Sequence, residues 1–449
     1  MHDTTFGGTA TERESKRLHT LHPVPPAPGW RQEVGALKDV EDGLAVALWR
    51  ALRNVRLWVE TEENRERLFN SPSPATQESM GHACAHAPQL IEAFGTFSFL
   101  LRAPGSVTGT RIVEACRQVT AWSEARSLLL TAVHFAEAAA LADPENPVLA
   151  NDAGSLCRRA VLYDRSATWF QRAFGLAVRM RKSDLTVSRG ESIRALLGYG
   201  SLMQFLGRFG EAKGYFERAA RRAVGTGRQR LAAGANHDLL TFAAEIGTYQ
   251  SGLRYATAAL DLYPANDRQI PGLAHDWAFL LVRYGYFTPA VPILKLVVDR
   301  AQTPSLQALF WGTLARAAAG AGRRELAEEA GQKALAHITV YEEYAPAVLI
   351  HLTEAARYLR RWDEAETYAQ KAIEAAQRRQ TIEPERIARE LAQQVLDRTP
   401  ISPEAEPTDP ERLQSFNRRL IARLRQWKAA PASEETEAIP SIRPGETAD

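Results

Sequence analysis

The 449-residue sequence predicts an all-α fold, a stack of helical hairpins, and three observations predict it. Strand signals are nearly absent, since alternating β-branched runs bounded by turns are hard to find while alanine, arginine, glutamate and leucine dominate. Apolar residues recur at helical spacing along most of the chain. Short turns, among them "LGRFGE", "EIGTYQ", "RYGYFT", "GAGRRE" and "LRRWDE", interrupt that pattern and exclude the continuous apolar seam of a heptad coiled coil.

Residues 1–34 carry proline and glycine without periodicity and read as a flexible leader. In the following segment, 35–107, Leu44, Leu48, Leu52, Val55 and Trp58 fall at spacings of 4, 4, 3 and 3, which is one face of a helix. A second helical region ends in "LIEAFGTFSFLL" and is stopped by "APG" at Ala103 to Gly105. The segment 108–398 holds the hairpins. Its clearest stretch is "LGRFGEAKGYFERAA", Leu206 to Ala220. An interior glycine costs roughly 1 kcal/mol against alanine, so these glycines favour a turn over one long helix. Before the turn come Leu196, Tyr199, Gly200 and Met203, and after it Ala212, Phe216 and Ala219. Small residues such as Gly200 and Ala212 suit the closest approach of two antiparallel helices, and large ones such as Phe216 fill the gap to the next hairpin. Taking Ala212 as a marker, the same frame recurs at Ala132, Ser166, Gly252, Ala290, Ala327 and Ala365, with successive separations of 34, 46, 40, 38, 37 and 38 residues. Seven hairpins follow. A Pro-rich linker, 399–408, leads to an amphipathic helix at 409–430, where Asp409 caps, Pro410 starts the first turn, and Leu413, Phe416, Leu420, Leu424 and Trp427 share a face. Residues 431–449 read as a disordered tail.

This frame resembles the tetratricopeptide repeat (TPR), whose pattern is W-x2-L-G-x2-Y, a turn, then A-x3-F and a later proline. The resemblance runs from Gly109 to Arg379 and is supported by Gly154 with Phe170 and Ala173, Ala259 with Pro264, and Trp311 with Leu314 and Ala334. Leu240, Ala278, Ala315 and Thr353 depart from the pattern's glycine, and most separations exceed the standard 34, which makes this a long-period variant. The resemblance implies a right-handed α-solenoid of about seven hairpins, with extra N-terminal helices and a C-terminal amphipathic helix. It also implies a concave face, lined by the first helix of each hairpin, that holds a peptide or helix of another protein. The expected function is therefore a non-catalytic scaffold or adaptor.

Within the first helices a polar row recurs. Asn151 and Asp152, His237 and Asp238, and His275 and Asp276 each stand 15 and 14 residues before their marker, and His351 shares the row with the aspartates. Two roles are open for it: bonds to a partner backbone across the groove, or bridges from each hairpin to the next. Metal chelation is disfavoured, because helix axes stand about 8–10 Å apart. Arg158, Arg194, Arg283, Arg316 and Arg357 lie on the same helices and are candidates for bidentate recognition of carboxylates.

Charge is uneven along the chain. Between Arg158 and Arg230 there are 16 Lys and Arg against 5 Asp and Glu, within a chain of net charge +2. Arg179, Arg181, Lys182, Arg218, Arg221, Arg222, Arg228 and Arg230 are the candidates for a basic ridge. Such a ridge suits an acidic protein better than nucleic acid, because aromatics for base stacking are scarce there and no helix-turn-helix segment precedes the repeats. A regulatory module binding an anionic ligand, nucleic acid or a signalling peptide, is the alternative reading. Arginines on the outer side of the C-terminal helix admit an anionic surface or a partner groove, and its apolar side suits capping the open end of the solenoid.

Several classes are disfavoured. No apolar run resembles a signal peptide or reaches the roughly 20 residues of a membrane span, so a cytoplasmic location is expected. Cys84, Cys116 and Cys157 are too few and too widely spaced for a disulfide framework or a paired zinc knuckle. In "GHACAH", His82 and His86 share a helix face that Cys84 does not. Nucleophile-elbow, phosphate-loop and metalloprotease motifs are missing, so no catalytic residue, metal or cofactor is expected.

Overall fold

The structure is a computed structural model that describes residues 37–60, 86–126, 128–180, 185–224, 228–301, 304–338, 344–379 and 381–427. The predicted leader and tail, His82, Cys84, Arg181 and Lys182 lie outside these residues. Every regular element among the described residues is helical. The chain divides into two compact units, Met1–Leu202 and Met203–Asp449.

Unit 1 opens with α1 (Asp42–Glu60) and α2 (Ile91–Arg102), followed by the hairpins α3 (Gly109–Glu124) with α4 (Leu129–Ala142) and α5 (Pro147–Arg159) with α6 (Tyr163–Arg179). The expected helical face of α1 is buried, with Leu44, Leu48, Leu52, Val55 and Trp58 all in the core. Asp39, just before α1, ties that end of the helix to α4, accepting from the Leu130 and Thr131 amides at 2.9 and 3.2 Å and from the Thr131 hydroxyl at 2.7 Å. Between α4 and α6 lies a buried carboxylate. Glu137 accepts from Trp169 Nε1 at 2.9 Å and from Arg165 Nε at 3.0 Å, with a second Arg165 contact through Nη2. Cys116 and Cys157 are buried thiols, and burial pushes both upward from their ordinary titration range.

The unit division falls within α7 (Leu185–Phe205). Unit 2 contains α8 (Phe209–Ala223) and the hairpins α9 (Gln229–Ile246) with α10 (Tyr249–Leu262), α11 (Ile270–Arg283) with α12 (Phe287–Val297), α13 (Pro304–Gly320) with α14 (Arg324–Ile338), and α15 (Ala345–Tyr358) with α16 (Trp362–Arg378). Then come α17 (Ile382–Leu396) and α18 (Pro410–Gln426). In unit 2 the first helices stack in chain order, α9 on α11, α11 on α13, α13 on α15 and α15 on α17, and each second helix packs on its own first helix. All seven marker residues sit at the start of a second helix, and all are small and buried.

One turn geometry closes five of the hairpins. Val161, Gly207, Gly285, Gly322 and Arg360 each take a positive φ between 58° and 74° immediately after a first helix. In each, the next amide reaches back to the third-last helical carbonyl at 2.8 Å, as in Arg208 N to Met203 O and Arg323 N to Ala318 O. This is a Schellman cap, which normally uses glycine because a Cβ is strained in the left-handed region. Val161 therefore stores strain. Val161→Gly is expected to stabilise unit 1 by about 1 kcal/mol, read as a higher urea midpoint. A lower midpoint would mean that side-chain packing outweighs the backbone strain.

Phe170 accounts for two glycines. A Cβ at Gly154 would lie 2.8 Å from its ring and one at Gly198 only 2.3 Å, so both first helices press directly on the phenyl face. Ala212 and Phe216 are fully buried as the frame requires, and Gly200 is buried as well.

The C-terminal helix does not cover the last hairpin. Asp409 caps α18 by accepting from Arg412 N at 3.2 Å, and Leu413, Phe416, Leu420 and Leu424 are buried against α10, α11 and α12 in the middle of unit 2. Trp277 Nε1 donates to Asn417 at 2.8 Å and Trp427 Nε1 to the Asp267 carbonyl at 2.9 Å. Those polar anchors on middle hairpins supersede the end-capping expectation. The linker is docked too: Glu404 accepts from the Thr288 amide and hydroxyl at the start of α12, and Ala405 N donates to Gly285 O at 3.0 Å. No helix among the described residues is long and apolar enough to cross a membrane.

Candidate functional site

In unit 1 the row runs from α5 to α7. Asn151 is buried and donates through Nδ2 to the carbonyl and carboxylate of Glu191, at 3.0 and 2.9 Å. Arg194 on α7 donates to Asp152 at 2.8 Å and to Glu191 at 2.9 Å, joining consecutive first helices. Burial opposes the Arg194 charge, but the two carboxylates outweigh it and its titration is raised. Arg159 reaches Glu124 on α3 at 2.5 Å, and Arg158 is half-buried beside it. Arg117, Thr120, Glu124, Asp152, Arg159 and Arg194 share an open cleft of about 300 Å³. That cleft is amphoteric and follows the first helices.

In unit 2 the row is a chain of hydrogen bonds across three stacked helices. His237 on α9 engages Tyr263 OH through Nδ1 at 3.3 Å and Asp276 through Nε2 at 2.9 Å. Asp276 on α11 also holds His275 Nδ1 at 2.8 Å, and His275 Nε2 meets the Thr313 hydroxyl of α13 at 3.0 Å. The His275 ring stacks on Phe310 with centroids 4.2 Å apart. Burial works against both ionised partners, yet their mutual bond prevails: the His237 imidazole is raised and the Asp276 carboxyl held well below its usual range. Asp238 is half-buried on the same helix as His237. His237 and His275 are therefore buried bridges between hairpins.

Farther along the same helices lies a second charged line. Arg283 Nη2 donates to the Glu245 carbonyl at 3.3 Å, Arg316 approaches Glu354 at 3.4 Å, and Arg357 meets Glu354 at 2.8 Å. Glu245 and Arg283 are both exposed, with neighbouring protein displacing part of their solvent. Loss of solvent raises the Glu245 carboxyl, and the same loss, followed by the nearby Arg316, lowers Arg283. His351 is buried and meets Phe279 in a T-shaped contact, ring centroids 5.5 Å apart. Burial first, then Arg316, His275 and Arg283, push His351 well below the ordinary imidazole range.

Among the described basic-ridge candidates, three pair with carboxylates and one lies over an aromatic ring. Arg179 pairs with Glu145 at 2.8 Å, Arg221 with Glu217 at 3.7 Å and Arg230 with Asp267 at 2.9 Å, while Arg218 lies over the Tyr215 ring. Arg222 is exposed and Arg228 half-buried.

No protein-family model and no curated protein matches the chain. Among solved structures, it is similar to the Rap conjugation gene regulator of plasmid pLS20 in complex with the Phr* peptide, with a TM-score of 0.51 at 14% identity, covering 74% of this chain and 96% of that one. The fold is the TPR-type helical repeat. A Rap protein complexed with competence and sporulation factor aligns with a TM-score of 0.49 at 11% identity, over 75% of this chain and 98% of that one. The TPR-type register also locates residues that residue type alone passed over. Thr313 stands 14 residues before Ala327, in the row of the aspartates, and Glu245 stands seven before Gly252 just as Arg283 stands seven before Ala290. Glu354 stands eleven before Ala365 just as Arg316 stands eleven before Ala327.

Proposed function

We propose that this protein is a non-catalytic scaffold or adaptor that holds a peptide or helix of another protein along the first-helix faces of its TPR-type hairpins. The observation that carries the reading is the open charged cleft of α3, α5 and α7, where Arg117, Glu124, Asp152, Arg159 and Arg194 stand on successive first helices facing solvent. Support comes from the fold, which the pLS20 Rap regulator shares and which in that structure is in complex with a peptide. The engagement of Arg179, Arg221 and Arg230 by carboxylates favours a protein partner over a nucleic-acid backbone.

Because His237 and His275 serve packing between hairpins, the informative substitutions are on the cleft surface. Arg117→Glu with Arg159→Glu is expected to cut partner recovery from a native-host extract by about tenfold or more, with helicity unchanged by circular dichroism. Mass spectrometry of captured proteins reads the result. Equal recovery by the double variant and the wild type would sink the reading of this cleft.

A further inference from the structure

Three non-glycine residues among those described take a positive φ, and two of them are arginines on the wall of one cavity. Arg360 (φ 58°) follows α15 and Arg398 (φ 45°) follows α17. Each occupies the place in a Schellman cap that glycine normally takes: Arg361 N reaches Ala356 O at 2.8 Å, and Thr399 N reaches Gln394 O at 2.9 Å. A side chain in that conformation is strained, and strain of this kind gathers at ligand sites. Helix-end charge does not explain the choice. A cation serves a helix C-terminus equally well from inside the last turn, as Arg357 does on α15, without a left-handed backbone.

The cavity, about 480 Å³, is lined by helix-end and turn residues of α13, α15 and α16 and by the returning linker. Both of its sides are fixed. Phe287 presses on Gly320, where a Cβ would lie 2.6 Å from its ring, and Tyr358 meets Phe287 in a T-shaped contact with centroids 5.1 Å apart. The linker is pinned at one end by the cap at Arg398 and at the other by Glu404 on Thr288 and Ala405 N on Gly285 O, while Pro400 and Pro403 fix φ between them. Trp362 and Ile401, both half-buried, add flat and aliphatic surface. Charge on this wall is unbalanced. Arg361 takes Glu328 and Glu364, whereas the exposed Arg360 and Arg398 side chains have no hydrogen-bond or ion-pair partner among the described residues. Glu404 is the one acid on the described wall, and both its oxygens accept from Thr288.

We infer that this cavity binds a phosphate monoester with a flat ring as its body, the phosphate held by Arg360 and Arg398 and the ring set against Trp362 and Tyr358. Two guanidinium forks are matched by a dianion with three free oxygens, which a phosphate monoester is near neutral pH, whereas a carboxylate has oxygens for one fork. The volume falls within the range of small-molecule pockets, about 300–1,000 Å³, so an organic body is needed to fill it. Aromatic faces and guanidinium planes both stack on flat rings. With the linker as one side and the ends of α13 and α15 as the other, an occupant fastens the returning segment to the hairpins.

The test uses the full chain with phenyl phosphate and adenosine monophosphate as probes, and with inorganic phosphate and adenosine as the charge and the ring alone. Isothermal titration calorimetry is expected to show saturable binding of at least one ester, tighter than that of either control, and thermal melts a rising midpoint, since a ligand of the folded state stabilises it. Arg360→Gly with Arg398→Gly is expected to weaken that binding about tenfold or more. The unliganded double variant should melt no lower than the wild type, because glycine is the residue this backbone favours. Arg360→Asn with Arg398→Asn, which the left-handed region also tolerates, is the second pair and must show the same loss. Absence of saturable binding by either ester overturns the site, and so does undiminished binding in either double variant. Inorganic phosphate or adenosine binding as tightly as the esters overturns the ringed monoester as its ligand.

Discussion

Ala212→Asp is expected to destabilise unit 2 by about 3–5 kcal/mol, because the new carboxylate would be buried without a partner. Ala212 is fully buried at the start of α8, where its amide donates to Arg208 O at 3.0 Å, and the helix cannot turn it outward without giving up Phe216 and Ala219 on the same face. At roughly 2–4 °C per kcal/mol for a unit of this size, the thermal midpoint falls by about 6–20 °C. Circular dichroism melts read it directly. A melt superimposable on the wild type would place residue 212 at the surface and shift the whole register of hairpins.

Glu137→Ala is expected to cost unit 1 a comparable 3–5 kcal/mol. The glutamate is 4% exposed and accepts from Trp169 Nε1 and from Arg165, so its removal strips the acceptor from a buried indole and the counter-charge from a guanidinium. Glu137→Gln keeps an acceptor for the indole but not the charge, so its loss should be distinctly smaller. Urea unfolding followed by tryptophan fluorescence separates the two variants, with Trp169 among the reporters. Equal midpoints for alanine and wild type would show that the pair contributes no net stability.

The hairpins were legible because each depends on local residue types: small residues at helix contacts, a turn, and an aromatic four residues after the marker, as with Phe170 and Phe216. Even the turn at Arg360 could be read without a glycine, since the flanking helices are strongly patterned. Placement of the C-terminal helix could not be read. Its apolar face demanded a cover, but nothing in the local pattern distinguishes Trp277 from the last hairpin as that cover. The basic section misleads for a related reason. Charge summed along the sequence ignores that Arg159, Arg165, Arg179 and Arg230 meet Glu124, Glu137, Glu145 and Asp267, all outside the counted stretch. The polar row was found by register, but its bridging bonds depend on which helix stacks next, which residue type does not encode.

Stacked repeats normally behave as one-dimensional arrays in which each unit feels only its neighbours and the ends fray first. The returning segment of unit 2 changes that connectivity. Glu404 on Thr288, Asn417 on Trp277 and Trp427 on Asp267 join residues separated by 116, 140 and 160 positions, so a chain that has already passed the last hairpin is fastened back to the middle ones. Fraying of α15 to α17 then strains a closed circuit instead of opening a loose end. Unit 2 accordingly should melt as a single cooperative block and, with such distant pairs to form, fold more slowly than a linear stack of the same helices. Hydrogen exchange would register this as nearly uniform protection from α9 to α16, with no gradient toward the last hairpin.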